Sequence, residues 1–163
     1  MLQEYAMSLF DVKAFGELIP SLYKSDIQSG AMHGVTVFDG ETAPESLVGI
    51  TLSRVTDKWQ ELIWVTTTAA YNTPEYGADL IRLRDEAARE AGELLGTFAD
   101  IPADEEKLIA CFSRAGFFLR SYDKDGHALV RATKSYEGKQ KSDLLERFVG
   151  DNVKKEKAEH GKR

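Results

Sequence analysis

The stretch QELIWVTTTAAYNTP, residues 60–74, decides the fold, because a strand pattern gives way abruptly to a helix start. Residues 61–70 are rich in β-branched and aromatic side chains, which predicts a strand. Pro74 suits the first turn of a helix, where its missing N–H would be unpaired in any case. Residues 75–91 then predict a helix, because apolar side chains recur in steps of three and four at Tyr76, Leu80, Leu83, Ala87 and Ala91.

A second strand and a second helix follow this unit. Residues 94–99 form another β-rich run. Asp104 is placed to cap the next helix, and Gly116 is placed to end it. Its inward-facing side chains would be Leu108, Ile109 and Phe112. Two strands joined through a helix of this length predict parallel pairing.

The flanking segments predict antiparallel strands and a first helix. Residues 1–10 predict an opening edge strand, residues 11–23 a helix bent at Pro20, and residues 25–31 a loop. The inward side chains of that first helix would be Phe15, Leu18, Ile19 and Leu22. Two hairpins are predicted, at residues 34–38 with 46–53 and at 117–122 with 127–132, the second turning at Asp123-Lys-Asp-Gly126.

These elements together predict a mixed α/β (α+β) fold. We expect a mixed sheet of about six or seven strands with helices on both faces. The predicted core contains Trp64, Leu80, Leu83, Leu95, Ile109, Phe112 and Phe117. Residues 1–133 would form the domain, and residues 134–163 would add a short helix at 142–149 and a charged, disordered tail.

Charge and cysteine content exclude several classes of protein. Nine of the 21 basic and six of the 27 acidic residues lie at positions 134–163, so residues 1–133 carry 12 basic and 21 acidic side chains. This acidic body argues against a nucleic-acid partner, and no apolar run approaches the roughly 20 residues that span a bilayer. Scattered histidines and a lone Cys111 predict no metal site. That single cysteine and the absence of a visible secretory signal predict a cytoplasmic protein.

The order of elements resembles that of the general N-acetyltransferase-like (GNAT) superfamily. The motifs are the central strand Leu62-Ile-Trp-Val-Thr66, the closing Asp-Gly hairpin, and Cys111-Phe-Ser-Arg-Ala-Gly-Phe117, where the family often has Tyr-x-x-x-Gly-Phe. More narrowly, Trp64-Val-Thr-Thr and the arginine-rich helix with Arg82, Arg84 and Arg89 resemble GNAT-like proteins of short-tailed bacteriophages. Some of those are described as internal virion proteins, and such a protein would act in the host cytoplasm or the virion.

The resemblance implies where acetyl-CoA would bind. Its pantetheine would bond to the backbone of the strand at Trp64, Val65 and Thr66. Its pyrophosphate would lie at the next helix start, on Glu75, Tyr76, Gly77 and Ala78. The family pattern Arg/Gln-x-x-Gly-x-Gly/Ala reads Asn72-Thr-Pro-Glu-Tyr-Gly-Ala78 here. Pro74 removes a donor and Glu75 adds a negative charge, so an ordinary helix cap is the alternative interpretation.

The residues that would carry out acetyl transfer also depart from the family pattern. Phe112 replaces the tyrosine that often protonates the leaving thiolate, and Glu105 replaces a common asparagine. Glu61 is the candidate base by position, although a solvated strand-end carboxylate is the alternative. Tyr71 is a candidate acid, and Cys111 is another, although a thiol on an apolar helix face usually packs in the core.

Two functions remain open from the sequence. In the first, a GNAT fold with a degenerate acetyl-CoA site is a phage-encoded binding or assembly protein whose partners are proteins such as virion components. In the second, the protein is an acetyl-CoA-dependent N-acetyltransferase that acts on a small-molecule or protein amine. Three departures within one site favour the first.

Overall fold

The structure, a computed structural model, describes residues 1–136. The predicted helix at 142–149 and the charged tail lie outside the described residues. The helices are α1 (Leu9–Ala14), α2 (Ser21–Ser29), α3 (Pro74–Ala91) and α4 (Glu106–Arg114). The strands are β1 (Leu2–Ala6), β2 (His33–Asp39), β3 (Leu47–Thr56), β4 (Trp59–Thr67), β5 (Gly96–Pro102), β6 (Phe118–Lys124) and β7 (His127–Ser135).

All seven strands form one mixed sheet in the order β1-β2-β3-β4-β5-β7-β6. β4 and β5 pair in parallel, and every other neighbouring pair is antiparallel. The predicted sheet, its edge strand β1, both hairpins and the parallel pair are thereby confirmed. No helix within residues 1–136 is long and apolar enough to cross a membrane.

Helices pack on both faces of the sheet. On one face, Ile19 from the segment between α1 and α2 packs with Ile50 and Leu52 of β3. On the other face, Ile81 of α3 and Phe112 of α4 pack in one cluster with strand residues of the sheet. Each face therefore has its own apolar layer, which is what buries both sides of a central strand.

The buried tryptophan of the core is Trp59, which the sequence analysis missed. Trp59 is 1% exposed and packs with Phe98 and Leu95. It begins β4, two residues before the predicted strand at 61–70. Of the predicted core side chains, the buried ones are Leu80, Phe112 and Phe117, and the partly buried ones are Trp64, Leu83, Leu95 and Ile109.

The first helical segment differs from its prediction: α1 ends at Ala14, a 3-10 turn follows at Gly16–Leu18, and Pro20 precedes a second helix rather than bending one. Ser8 caps α1: its Oγ accepts a bond from the Asp11 amide, and the Asp11 carboxylate accepts one from the Ser8 amide. α2 begins after Pro20 and runs to Ser29, so most of the predicted loop at 25–31 is helical. The new helix has its own register, and Leu22, predicted to face inward, is 72% exposed.

The start of α4 also differs from its prediction. The helix begins at Glu106 after Glu105, which makes no side-chain cap, so Asp104 does not cap it. The prediction for its end holds better, because Gly116 follows the helix with φ +89°, a left-handed conformation that glycine adopts without strain.

Candidate active site

The two central parallel strands separate soon after they meet. β4 and β5 pair only through Trp59 with Gly96, Gln60 with Thr97 and Glu61 with Phe98. Beyond that point β4 continues along β3 on its other side, while β5 continues along β7. In the described part of the chain, the β5-facing backbone edge of residues 62–67 therefore has no strand partner.

A β-bulge lies at the point of separation. Leu52 of β3 pairs with Trp64 and Ser53 pairs with Leu62, so Ile63 is an extra residue in β4. A bulge bends its strand and increases the local twist, which turns β4 away from β5. Ile63 and Trp64 both pack toward the first helices, and the Trp64 indole Nε1 donates a 2.9 Å hydrogen bond to the Leu18 carbonyl.

The separation leaves a cleft of about 630 Å³, a size typical of small-molecule sites. β4 forms one wall, the start of α3 closes one end, β5 and α4 form the opposite wall, and one aromatic side chain of α2 completes it. The lining residues are Tyr23, Ile63, Trp64, Val65, Thr66, Thr67, Asn72, Thr73, Pro74, Gly77, Asp100, Pro102, Glu105, Lys107, Leu108 and Cys111.

The structure brings four of the predicted cofactor residues to this cleft, namely Trp64, Val65, Thr66 and Gly77. Ala78 is fully buried in the core beneath it. Tyr76 lies elsewhere, packing edge to face on Tyr71 at a centroid distance of 4.8 Å, beside the valines of β2. Tyr71, the predicted acid, therefore does not line the cleft.

The first turn of α3 has few backbone donors left for an anion. Pro74 has no N–H, the Tyr76 amide donates to Thr73 Oγ1 at 3.3 Å, and the Gly77 amide donates to the Thr73 carbonyl at 3.0 Å. Among the described residues, the Glu75 amide is the first-turn donor without a partner. Thr73 is thus the helix cap. The turn therefore has the geometry of an ordinary helix cap, which was the alternative interpretation of this stretch of sequence.

Glu75 itself faces a cation. Its carboxylate lies 3.8 Å from the Arg114 guanidinium, and both side chains are more than half exposed. A surface pair of this kind is worth about 0–1 kcal/mol. The negative charge at the helix start is therefore partly balanced from α4.

Gly77 is required by the approach of α4. A Cβ at this position would lie 2.4 Å from Cys111 Sγ, a distance that real carbon and sulfur atoms do not reach. Burial raises the pKa of the Cys111 thiol, so this group stays protonated at neutral pH. Cys111 is accordingly a packing residue that also contributes to the cleft wall.

Glu61, the predicted base, lies at the last paired position before the strands separate. Its Oε1 accepts hydrogen bonds from Arg54 Nε at 2.9 Å and from Thr56 Oγ1 at 3.2 Å. The side chain is 16% exposed and does not line the cleft. Both contacts are to one oxygen, so the other carboxylate oxygen keeps its acceptor capacity.

The sequence analysis missed a second carboxylate, Asp100 of β5, which does line the cleft. Arg131 of β7 donates to both of its oxygens, from Nε at 2.7 Å and from Nη2 at 2.8 Å. Arg131 Nη2 also donates to the Tyr122 hydroxyl at 3.3 Å. Burial, and secondarily the Asp100 charge, raises the pKa of Tyr122 to about 12. The sequence did contain a signal for this pair, because Asp100 and Arg131 each interrupt an otherwise apolar stretch of a strand.

Comparison with known proteins gives matches in structure alone. No family model matches the chain, and no curated protein matches it significantly. Spermidine N-acetyltransferase SpeG from Vibrio cholerae, solved with CoA and spermine, aligns at TM-score 0.66 with 13% identity over 82% of this chain and 95% of its own. A Bacillus subtilis acetyltransferase solved with CoA aligns at 0.66 with 13% identity, covering 84% and 100%.

A third neighbour is NAA60 from Arabidopsis thaliana, solved with a bisubstrate analogue, at TM-score 0.66 and 12% identity over 85% of this chain and 99% of its own. Identities this low establish the fold and nothing finer. The order of helices and strands and these alignments agree with the resemblance stated from the sequence. The chain therefore has the fold of the GNAT acetyltransferases.

Proposed function

We propose that the protein is an N-acetyltransferase that uses acetyl-CoA and a primary amine. The observation that carries the proposal is the unpaired edge of β4 at residues 62–67, which lies open along a cleft of about 630 Å³. A strand edge inside a sheet normally has its N–H and C=O groups paired, so an edge left open along a cleft suits a ligand with amide groups. Pantetheine is such a ligand.

Acetyl-CoA would supply a thioester: the amine nitrogen would bond to the acyl carbon, the carbon–sulfur bond would break, and CoA would leave as a thiolate that takes up a proton to become the thiol. The backbone of Trp64, Val65 and Thr66 would hold its pantetheine arm. That two of the structural neighbours were solved with CoA supports this choice of donor.

This chain's own residues would handle the protons as follows. Glu61 does not line the cleft, so it would take up the proton that the ammonium must lose through one intervening water, on the carboxylate oxygen that neither Arg54 nor Thr56 contacts. Phe112 offers no proton, and Tyr71 lies away from the cleft. We therefore propose water as the proton source for the leaving thiolate. A thiol with a pKa of about 8.5 leaves without a dedicated acid.

The pyrophosphate of acetyl-CoA fits the start of α3 less well than the pantetheine arm fits the edge of β4. The Glu75 amide is the first-turn donor that remains, while the Glu75 carboxylate would repel the pyrophosphate. In a partly shielded site this repulsion would be about 1–4 kcal/mol. Because the Glu75 side chain is 63% exposed and pairs with Arg114, about 0.5–1 kcal/mol is the better figure. Binding of acetyl-CoA is expected to be weakened but retained.

Calorimetric titration with acetyl-CoA tests the proposal. We expect the natural protein to bind it, and Glu75→Gln to bind about two- to fivefold more tightly, because repulsion is removed and Arg114 is released. Glu86→Gln, on an exposed position of the same helix, is the matched control and should change nothing. CoA release in the presence of primary amines, followed with a thiol reagent, tests the transfer itself.

A binding or assembly role, including that of a phage virion protein, is the second candidate. The first turn of α3 supports it, since Thr73 and Pro74 remove most of the donors that phosphates would use. Its partners would be proteins rather than a cofactor. Undetectable acetyl-CoA binding by both the natural protein and Glu75→Gln would refute the transferase proposal and leave this role.

A further inference from the structure

We infer that Asp100 binds the ammonium group of the acceptor, and that the acceptor is a cationic amine rather than one bearing a neighbouring anionic group. This inference rests on the proposed function and goes beyond it by naming the acceptor's charge and the residue that recognises it.

The position of Asp100 carries the argument. It lies two residues beyond Phe98, the last β5 residue paired with β4, so it is on the free arm of β5 about 7 Å past the point of separation. It lines the same cleft as the open edge of β4. An acceptor that reaches a thioester held on that edge must enter between the two arms.

The charged side chains that line the cleft favour a cationic ligand. The side chains that are charged at neutral pH along its walls are the carboxylates of Asp100 and Glu105 and the amine of Lys107. Two carboxylates and one amine thus face the cleft, whereas Arg131, which pairs with Asp100 and offsets its charge, does not line it. The body around the cleft is itself acidic. Tyr23 adds an aromatic wall, and carboxylate with aromatic surface is a pairing that favours an ammonium ion.

Arg131 positions Asp100 without occupying the cleft. It holds both carboxylate oxygens, is 12% exposed, and lies against the rings of Phe98 and Tyr122 at 5.4 and 5.1 Å. It does not line the cleft, whereas Asp100 does. A carboxylate accepts about four hydrogen bonds; Arg131 provides one to each oxygen and the Tyr122 hydroxyl interacts with the same carboxylate, so one acceptor position remains for an ammonium ion. The carboxylate is held in place before the ligand arrives.

Glu61 fits this role less well. Its carboxylate is bonded by Arg54 and Thr56 and is absent from the cleft wall. The two carboxylates thus divide the work, with Asp100 recognising the ammonium group and Glu61 remaining the proposed proton acceptor.

The test measures the binding of n-butylamine, with butanol as its uncharged counterpart. Each compound is titrated into the natural protein and into the Asp100→Asn variant. We expect this variant to weaken n-butylamine binding and to raise its KM by about tenfold or more, with kcat less affected and acetyl-CoA affinity unchanged. Arg131→Lys keeps the charge but loses the two-point contact, and it should give an intermediate KM. Asp123→Asn, exposed on β6 next to Tyr122, is the matched control and should behave as the natural protein.

A second variant separates recognition from structure. The exchange Asp100→Arg with Arg131→Asp keeps an ion pair but presents the opposite charge to the cleft. A purely structural role predicts that the exchange restores n-butylamine binding, and that result would overturn the inference. So would n-butylamine affinity in Asp100→Asn equal to that of the natural protein, or natural protein that binds acetyl-CoA but no amine. Failure of acetyl-CoA binding refutes the proposed function instead, and the amine titration still decides the role of Asp100.

Discussion

Replacing Gly77 with alanine tests the helix contact that forms the floor of the cleft. The backbone of Gly77 is ordinary helix, so alanine meets no conformational strain there. In a helix interior, alanine is favoured over glycine by about 1 kcal/mol. Any loss of stability must therefore come from the new Cβ, which would lie 2.4 Å from Cys111 Sγ.

The expected magnitude follows from two opposing effects. Forcing a methyl group into a filled contact costs about 1–3 kcal/mol. After the gain in helix propensity, Gly77→Ala should lower the free energy of unfolding by about 0–2 kcal/mol. In a Cys111→Ala background the sulfur is gone, and the nearest remaining atom is the Cβ of residue 111 at 3.3 Å. The same substitution should then be neutral or stabilising.

Urea unfolding followed by far-UV circular dichroism measures all four proteins of this cycle. We expect the coupling between the two positions to be about 1–2 kcal/mol, in favour of the double variant. An identical effect of Gly77→Ala in both backgrounds would refute the reasoning, because it would mean that α3 and α4 are not in contact at these positions. Gly77→Ala that is stabilising by about 1 kcal/mol in the natural background would do the same.

Two further predictions concern Phe112 in the core and Tyr122 beside Asp100 and Arg131. Phe112→Ala should lower the free energy of unfolding by about 3–5 kcal/mol, because Phe112 is 1% exposed and packs edge to face on Phe117 at 5.1 Å. The exposed Phe118→Ala should cost less than about 1 kcal/mol, and a similar small loss at Phe112 in a urea melt would place that ring in open space. Burial first, and the Asp100 carboxylate second, raises the pKa of Tyr122 to about 12, above the value of about 10 in an unfolded chain. The folded state keeps this proton longer, so its contribution to stability is complete below pH ~10 and is lost as the pH rises toward 12. Alkaline denaturation of Tyr122→Phe should be less steep in this range, and an unchanged slope would contradict the shift.

The site shows where sequence reasoning stopped. Trp64, Val65, Thr66 and Gly77 line one cleft, because they lie on a strand and a helix that the local pattern predicted. Their role in binding a cofactor stays a prediction. Asp100 and Arg131 were missed because they lie 31 positions apart in the chain, on different strands. The register that places them opposite each other is a property of the assembled sheet.

The sequence by itself determined the elements and their order. Periods of two and of about 3.6 residues, proline and glycine at element ends, and the helix between two strands are local properties, so they predicted the mixed sheet and the parallel pair. The tertiary structure alone decided where β4 and β5 separate. It placed the bulge at Ile63, and it gave Gly77 a packing role against Cys111. These features depend on contacts between segments far apart in the chain, which local periodicity does not encode.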